Sequence, residues 1–460
     1  MLRARLLILP ALLAVVTATA AVAQSVTPIT YYLSEGATSD FFDTDILIAN
    51  PNNATAPVTL TFSKESGEQV VATRTVGANA RLTVHVAEIP GMSGTSTSTQ
   101  VRSDSGVPLV VERTMFWDKS WYAGSTGSSV DKPAKDWFFA EGSQGFFQTY
   151  VLVINPNPSP TDVTFTFLRE NGAPVPKTVT VAANSRLTLD CAVIPEVQNS
   201  SFGISVHGTQ PIMAERSMYF SQPGRFWTGG TESAGVTAPS TRWFLAEGAT
   251  GGMFYTFVLV SNPQNSDAHV TFQYLLDTGE TVSVQKVIPA HTRLTTNIGA
   301  EDDPRLHGAA VSTVVTSDVP VIAERSMYWP SGSPWTEGHN SFGVTDSGTR
   351  WGLAEGRTGG PHNFHTYILL ANPQSTTANV TVNFLRESGA PLVKNYTVAP
   401  TSRSNIDVGA IPDLQNESFG SVIQVTNNVP IIVERSMYWD ANGVPFSGGT
   451  HATGVRLKRP

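Results

Sequence analysis

Four copies of one pattern fill this chain, and tandem copies restrict it to folds made by repeating a single unit. The openings read Tyr32-Leu-Ser-Glu-Gly36, Phe138-Phe-Ala-Glu-Gly142, Phe244-Leu-Ala-Glu-Gly248 and Gly352-Leu-Ala-Glu-Gly356. Their glutamates, Glu35, Glu141, Glu247 and Glu355, fall 106, 106 and 108 residues apart. Each copy then places an Asn-Pro (Asn50, Asn155, Asn262, Asn372) and a lone arginine (Arg81, Arg186, Arg293, Arg403). Each closes on Glu-Arg-(Ser/Thr)-Met-aromatic, starting at Glu112, Glu215, Glu324 and Glu434. The divisions are a signal segment over 1–23 and repeats over 24–133, 134–239, 240–348 and 349–460.

Within repeat 2, Phe147 to Ile154 is rich in β-branched and aromatic residues and stops at Asn155-Pro156, because proline cannot donate to a ladder. Val163 to Leu168 alternates with period two and ends in the turn Glu170-Asn-Gly172. Strands are expected at Lys177–Ala182, Arg186–Ala192, Phe202–Val206 and Pro211–Phe220, the last two divided by His207-Gly208. About seven strands per copy and no helical period predict an all-β chain of four immunoglobulin-like antiparallel β-sandwiches in a row. A propeller needs a half-unit repeat, which is missing. The linkers are short, as in Asp131-Lys-Pro-Ala-Lys-Asp136, so successive copies should touch. Four in line would make a rod well over ~100 Å long.

Arg3 and Arg5, the apolar run Leu6 to Val16 and Ala21-Val-Ala23 read as a secretory signal, giving a mature chain from Gln24 and a secreted, extracellular or periplasmic location. No later run is long enough to span a bilayer. A net charge of -8 with no basic cluster excludes nucleic acid as a partner. Only 14% of residues are charged, against roughly 25% in typical proteins, so charges that recur at fixed positions call for a reason. One cysteine, Cys191, permits no internal disulfide. Its counterparts Val86, Ile298 and Val408 mark it as a small core hydrophobe.

Glu215 and Arg216 point to opposite faces of one strand, and both have apolar neighbours. With Glu141 and Arg186 they read as structural ion pairs holding the two sheets in register, since an unpaired buried charge is very costly. The competing reading makes Glu141 and Glu215 the acid and base of a glycoside hydrolase. A set repeated four times favours structure, and no enzyme activity is expected. All nine tryptophans sit at repeat ends. Trp121, Trp137, Trp227, Trp243, Trp335 and Trp351 are either packing between copies or an exposed platform for sugar rings. Asp277-Thr-Gly279 matches an aspartic-protease signature but occupies the turn of Glu170-Asn-Gly172. Asp40, Asp43 and Asp45 resemble part of a calcium loop without its glycine and distal glutamate. The scattered histidines, His362 and His365 included, make no repeated metal set. No cofactor is expected.

Trp243-Phe-Leu-Ala-Glu-Gly248, Asn262-Pro263 and Ala323-Glu-Arg-Ser-Met-Tyr-Trp329 together resemble a tandem repeat of secreted bacterial proteins, written W-Y-L-A-E-G … N-P-N … A-E-R-x-M-Y-W. The resemblance covers nearly all of residues 30–455. It implies export and the company of cell-surface or hydrolase domains, and it carries no binding residues with it. The leading expectation is a secreted, non-enzymatic structural or adhesion rod. The alternative is a carbohydrate- or cell-wall-binding protein, and the partners implied are an extracellular polysaccharide or a surface protein.

Overall fold

The computed structural model describes residues 27–330 and 335–457. The expected signal segment at 1–23 lies outside them. The described chain is antiparallel β with seven short 3-10 turns. No helix among the described residues is long and apolar enough to cross a membrane.

Repeat 1 shows the plan. One sheet runs in the order Ile29–Leu33, Thr95–Ser103, Ala56–Lys64, Gln69–Val76. The other runs Ala80–His85, Phe42–Asn50, Val110–Trp117, Ala123–Ser128. The alternation seen in the sequence is the burial pattern. In Thr161–Arg169 of repeat 2 every second side chain enters the core, with Val163, Phe165 and Phe167 all at 0% exposure. Each of four cores belongs mainly to one repeat. Cys191 lies inside the second, 0% exposed, where burial pushes its thiol up.

Two local expectations change. His207-Gly208 does not divide two strands: Phe202–Gln222 runs unbroken from one sheet into the other, as Val311–Trp329 does in repeat 3. The Asn of each Asn-Pro also does more than stop a strand. Asn155 is fully buried, donates to Ser159 O and Ala182 O at 2.9 Å, and accepts from Asn157 N at 3.0 Å. It satisfies a buried corner of backbone that would otherwise be orphaned.

The row expected from the sequence has no free ends, so the rod is corrected to a closed ring. Leu47, Ala49 and Val110 of repeat 1 share a buried cluster with Ala354, Leu385 and Val422 of repeat 4. Phe244, Ala246, Leu275 and Val314 of repeat 3 meet Ala371 and Ile432 of repeat 4 in the same way. Head-to-tail interfaces extend into filaments unless the rotation per unit closes, and here four rotations close. One strand of each repeat (Ala123–Ser128, Arg225–Ala234, Glu337–Phe342, Val444–Thr453) lies along the ring axis, packed on the one before and the one after, the fourth on the first. A cavity of about 10 Å³ on the axis takes three lining residues from each repeat, such as Thr126, Glu232, Asn340 and His451. The axial strands pack this closely because they carry glycine. A Cβ on Gly230 would stand 2.8 Å from the Trp117 ring and 2.6 Å from Met218 O.

Candidate functional site: four joints and an aromatic rim

The Glu-Arg dipeptide builds every joint. Its two side chains do point to opposite faces, and in a ring those faces meet different neighbours. The arginine looks forward and the glutamate looks back. Arg216 bonds Glu141 of its own repeat at 3.4 Å and Glu324 of repeat 3 at 2.6 Å. Arg113 likewise joins Glu35 (3.7 Å) to Glu215 of repeat 2 (3.0 Å). Arg325 joins Glu247 (3.0 Å) to Glu434 (3.7 Å), and Arg435 joins Glu355 (3.2 Å) to Glu112 of repeat 1 (3.1 Å). The circuit closes between repeats 4 and 1 with the same pair of residue types as elsewhere, Arg435 with Glu355 and Glu112. All four arginines are within 1% of full burial.

The carboxylates are also capped by backbone across the joint. Ala140 N donates to Glu324 and Ala354 N to Glu112, both at 2.8 Å. Ser34 N and Glu35 N donate to Glu215. The opening glutamates accept hydroxyls from the next repeat: Tyr219 to Glu35 at 2.8 Å and Tyr328 to Glu141 at 2.9 Å. A buried charge is tolerated only with this degree of pairing. Charge-assisted bonds from both sides therefore hold repeat to repeat. Of the expected sheet-to-sheet set, Arg216–Glu141 does stay within repeat 2, and the placing of Glu215 and Arg186 is corrected. Glu215 answers Arg113 of the preceding repeat, and Arg186 reaches Glu65 of repeat 1 at 3.6 Å. Arg293–Glu170 (3.5 Å) and Arg81–Glu387 (3.4 Å) repeat that outer contact. Glu141 and Glu215, the imagined acid and base, belong to two different joints.

The axial position that follows each arginine pair distinguishes the joints. Glu232 binds Arg113, Asn340 donates to Glu324 at 3.1 Å, His451 meets Glu434 at 2.9 Å, and Thr126 contacts Glu355 at 3.4 Å. Burial pushes Glu232 well above the usual carboxylate range, with Glu215 and Glu35 opposing Arg113. Burial pulls His339 down to about 3, and burial with Arg325 depresses His451 as well. Glu247, Glu434 and His451 come close enough to hold a metal. Arg325 fills that place, which makes the trio part of a joint. At one end of the axis the buried Glu337 carboxylate accepts backbone N–H groups from Gly124 (3.1 Å), Gly230 (3.0 Å) and Gly338 (2.8 Å), three repeats tied by one side chain. Repeats 1, 2 and 4 carry Ala123, Gly229 and Gly448 there, so sequence alignment of the copies shows the departure but not its purpose.

The six candidate tryptophans divide cleanly. Trp137, Trp243 and Trp351 are 0–1% exposed, and each plugs the core of its own repeat. The indole N–H donates to Ile212 O at 2.9 Å in the first case and Val321 O at 2.8 Å in the second. They are not a platform. Trp121, Trp227 and Trp335 are half-buried, with Phe446 at the same position in repeat 4. All lie at one end of the ring, because the strands that carry their neighbours pair there: Phe42 with Trp117, Phe147 with Phe220, Tyr255 with Tyr328 and His365 with Tyr438. Trp227 is sandwiched between Tyr219 and Phe226 at 4.4 Å each, and Trp121 between Phe116 (4.1 Å) and His362 (4.9 Å). Trp335 stacks on Tyr328 at 4.6 Å. The outermost rings are Phe226, 60% exposed, and Phe146, 49% exposed.

Trp121, Trp227 and Phe446 have φ of 53°, 44° and 50°, a conformation that bulky residues rarely adopt. The preceding repeat holds each loop there. Trp439 donates its indole N–H to Trp121 O, Tyr122 its hydroxyl to Trp227 O at 3.1 Å, and Trp329 its indole N–H to Phe446 O at 2.8 Å. At the joint of repeats 4 and 1 the rim opens into a cleft of about 390 Å³ lined by Ser120, His362, Asn363, Asp440 and Asn442 among others. Asp440 accepts from Phe446 N at 3.0 Å and from Asn363 at 2.9 Å.

No protein-family profile matches this chain, and no curated relative does. Among solved structures it is similar to Thermotoga maritima 1070, at 17% identity over 24% of this chain and 96% of that one, with a TM-score of 0.22. It is similar to the Anabaena sensory rhodopsin transducer at 25% identity, over 19% of this chain and 95% of that one, with a TM-score of 0.18. A tetra-tandem repeat in the extending region of a large adhesion protein is 12% identical over 88% of this chain and 92% of its own, with a TM-score of 0.11.

Proposed function

We propose that this is an exported, non-enzymatic repeat protein that works as a rigid ring, a structural or adhesive body outside the cytoplasm whose contact face is the aromatic rim. The observation that carries the reading is how the buried charges are used. Each Glu-Arg set is spent on holding one repeat to the next, and the largest exposed rings, Phe146 and Phe226, gather at one end of the axis. Exposed apolar patches on a polar-rimmed body mark contact sites. The recurrent glutamates support a non-catalytic role, because a buried carboxylate held by arginine and backbone N–H groups has no route to substrate. Export rests on the sequence of residues 1–23.

Carbohydrate or cell-wall binding is the second reading, favoured by the cleft at the joint of repeats 4 and 1. Asp440, Asn363 and Asn442 present polar groups there beside the His362–Trp121 stack, the mixture a sugar ring needs. The test is co-sedimentation of mature protein with insoluble polysaccharides and peptidoglycan, with tryptophan emission recorded alongside. Retention that Phe226→Ala and His362→Ala both weaken supports rim contact with glycan. Retention unaffected by either moves contact away from the rim. No retention on any glycan leaves a surface protein as the partner class.

A further inference from the structure

Three of the four joints connect consecutive repeats, and short linkers hold those repeats at high local concentration. The fourth, repeat 4 on repeat 1, has no linker and must be specified by contact alone. It is also the joint whose chemistry departs from the rest. Asp45 of repeat 1 is 1% exposed and bonds Arg357 of repeat 4 at 2.7 Å. Arg357 lies 3.4 Å from Glu355 and stands over the rings of Phe116 (5.3 Å), Trp121 (5.8 Å) and Phe364 (5.5 Å). His85 holds the other oxygen of Asp45 at 2.6 Å. At the three linked joints the same two positions are Tyr150 with Ala37, Phe257 with Ser143, and Tyr367 with Ala249. An aromatic beside a small residue has been replaced, once, by a buried ion pair.

We propose that Asp45 and Arg357 form a charge key on the interaction surface between repeats 1 and 4, closing the ring at its one unlinked joint. A charged residue buried in this interface is strongly disfavoured without its complement, so the key admits repeat 4 and rejects the faces of repeats 2 and 3, which carry Ser143 and Ala249 where Arg357 stands. Arg357 also fixes the rim cleft. It sits under Trp121 and brings Ser120 of repeat 1 against Asp440 and Asn442 of repeat 4. Asp45, which looked like a fragment of a calcium loop, is in this way assigned to closure.

The test is amide hydrogen exchange by mass spectrometry on the mature chain, comparing wild type with Asp45→Asn, Arg357→Ala and Arg357→Lys, and with small-angle scattering on each. Expected for Asp45→Asn and Arg357→Ala is exchange about tenfold or more faster in Val110–Trp117 and Val455–Arg456, with the joint of repeats 2 and 3 unchanged, and a larger maximum dimension. Arg357→Lys should restore part of the protection. Asp45→Asn keeps the shape of the side chain, so near-ultraviolet circular dichroism of that variant shows whether the four cores remain folded. Exchange that rises equally at all joints, or unchanged exchange and dimension in both Asp45→Asn and Arg357→Ala, would overturn the proposal.

Discussion

The joint of repeats 1 and 2 and the joint of repeats 3 and 4 share one skeleton and carry opposite electrostatics. At the first, Arg113 faces three carboxylates, Glu35, Glu215 and Glu232. At the second, Arg325 faces two, Glu247 and Glu434, with His339 and His451 beside them. One joint has an acid too many and the other keeps two bases neutral. Glu232, raised in the folded state, contributes stability that is fully present below the ordinary glutamate range of about 4.3 and is lost as pH rises through its folded value. His339 and His451, depressed in the folded state, contribute stability present above about 6.5 and lost as pH falls, through about 3 for His339. Identical repeats could not have such complementary titrations. Divergence at two neighbouring axial positions, that of Glu232 and His451 and that of His339, supplies them.

The sharpest way to break the comparison is to remove the arginines. Arg113→Met should cost about 3–5 kcal/mol in chemical denaturation at pH 8, since it strands buried carboxylates. At pH 5 Arg325→Met should cost less than Arg113→Met, because there His339 and His451 can take up a proton beside the stranded carboxylates. Equal losses at pH 5 would show that the histidines are spectators. Next in size is the combined His339→Asn and His451→Asn change. Thermal unfolding of that variant should lose less stability than wild type between pH 6.5 and 4. A smaller effect is expected for Glu232→Gln, within about 1 kcal/mol at pH 4, where the amide replaces a protonated carboxyl. Its signature is a flatter fall in stability as pH rises above about 4.3, and an unchanged slope would remove Glu232 from the account. Trp227→Ala should cost a modest amount, about 1–2 kcal/mol, since the ring is only half-buried and its loop carries φ of 44°. Buried Trp243, at 1% exposed, sets the contrasting scale of about 3–5 kcal/mol for Trp→Ala.

Much of the architecture is legible in the sequence. The alternation in Val163–Leu168, the glycine turns and the Asn-Pro stops place strands to within a residue or two, since side-chain period and turn chemistry are local properties. The opposite facing of Glu215 and Arg216 is legible for the same reason. Their partners are not. Each of the four arginines has equally good glutamates within its own repeat and in both neighbours, and nothing local chooses among them. The tryptophans show the same limit. Trp137 and Trp121 look alike in sequence, yet one plugs a core and the other is held over a joint by a neighbour's indole.

The sequence by itself determined the repeated unit, its β-sandwich pattern and the charges each copy would have to bury, because these follow from spacing and period within about 106 residues. Only the tertiary structure decided that the row closes, which glutamate each arginine answers, and that Asp45 meets Arg357 from the far end of the chain. Those outcomes depend on the rotation at each joint, summed four times, and a sum of rotations is written in no single stretch of sequence.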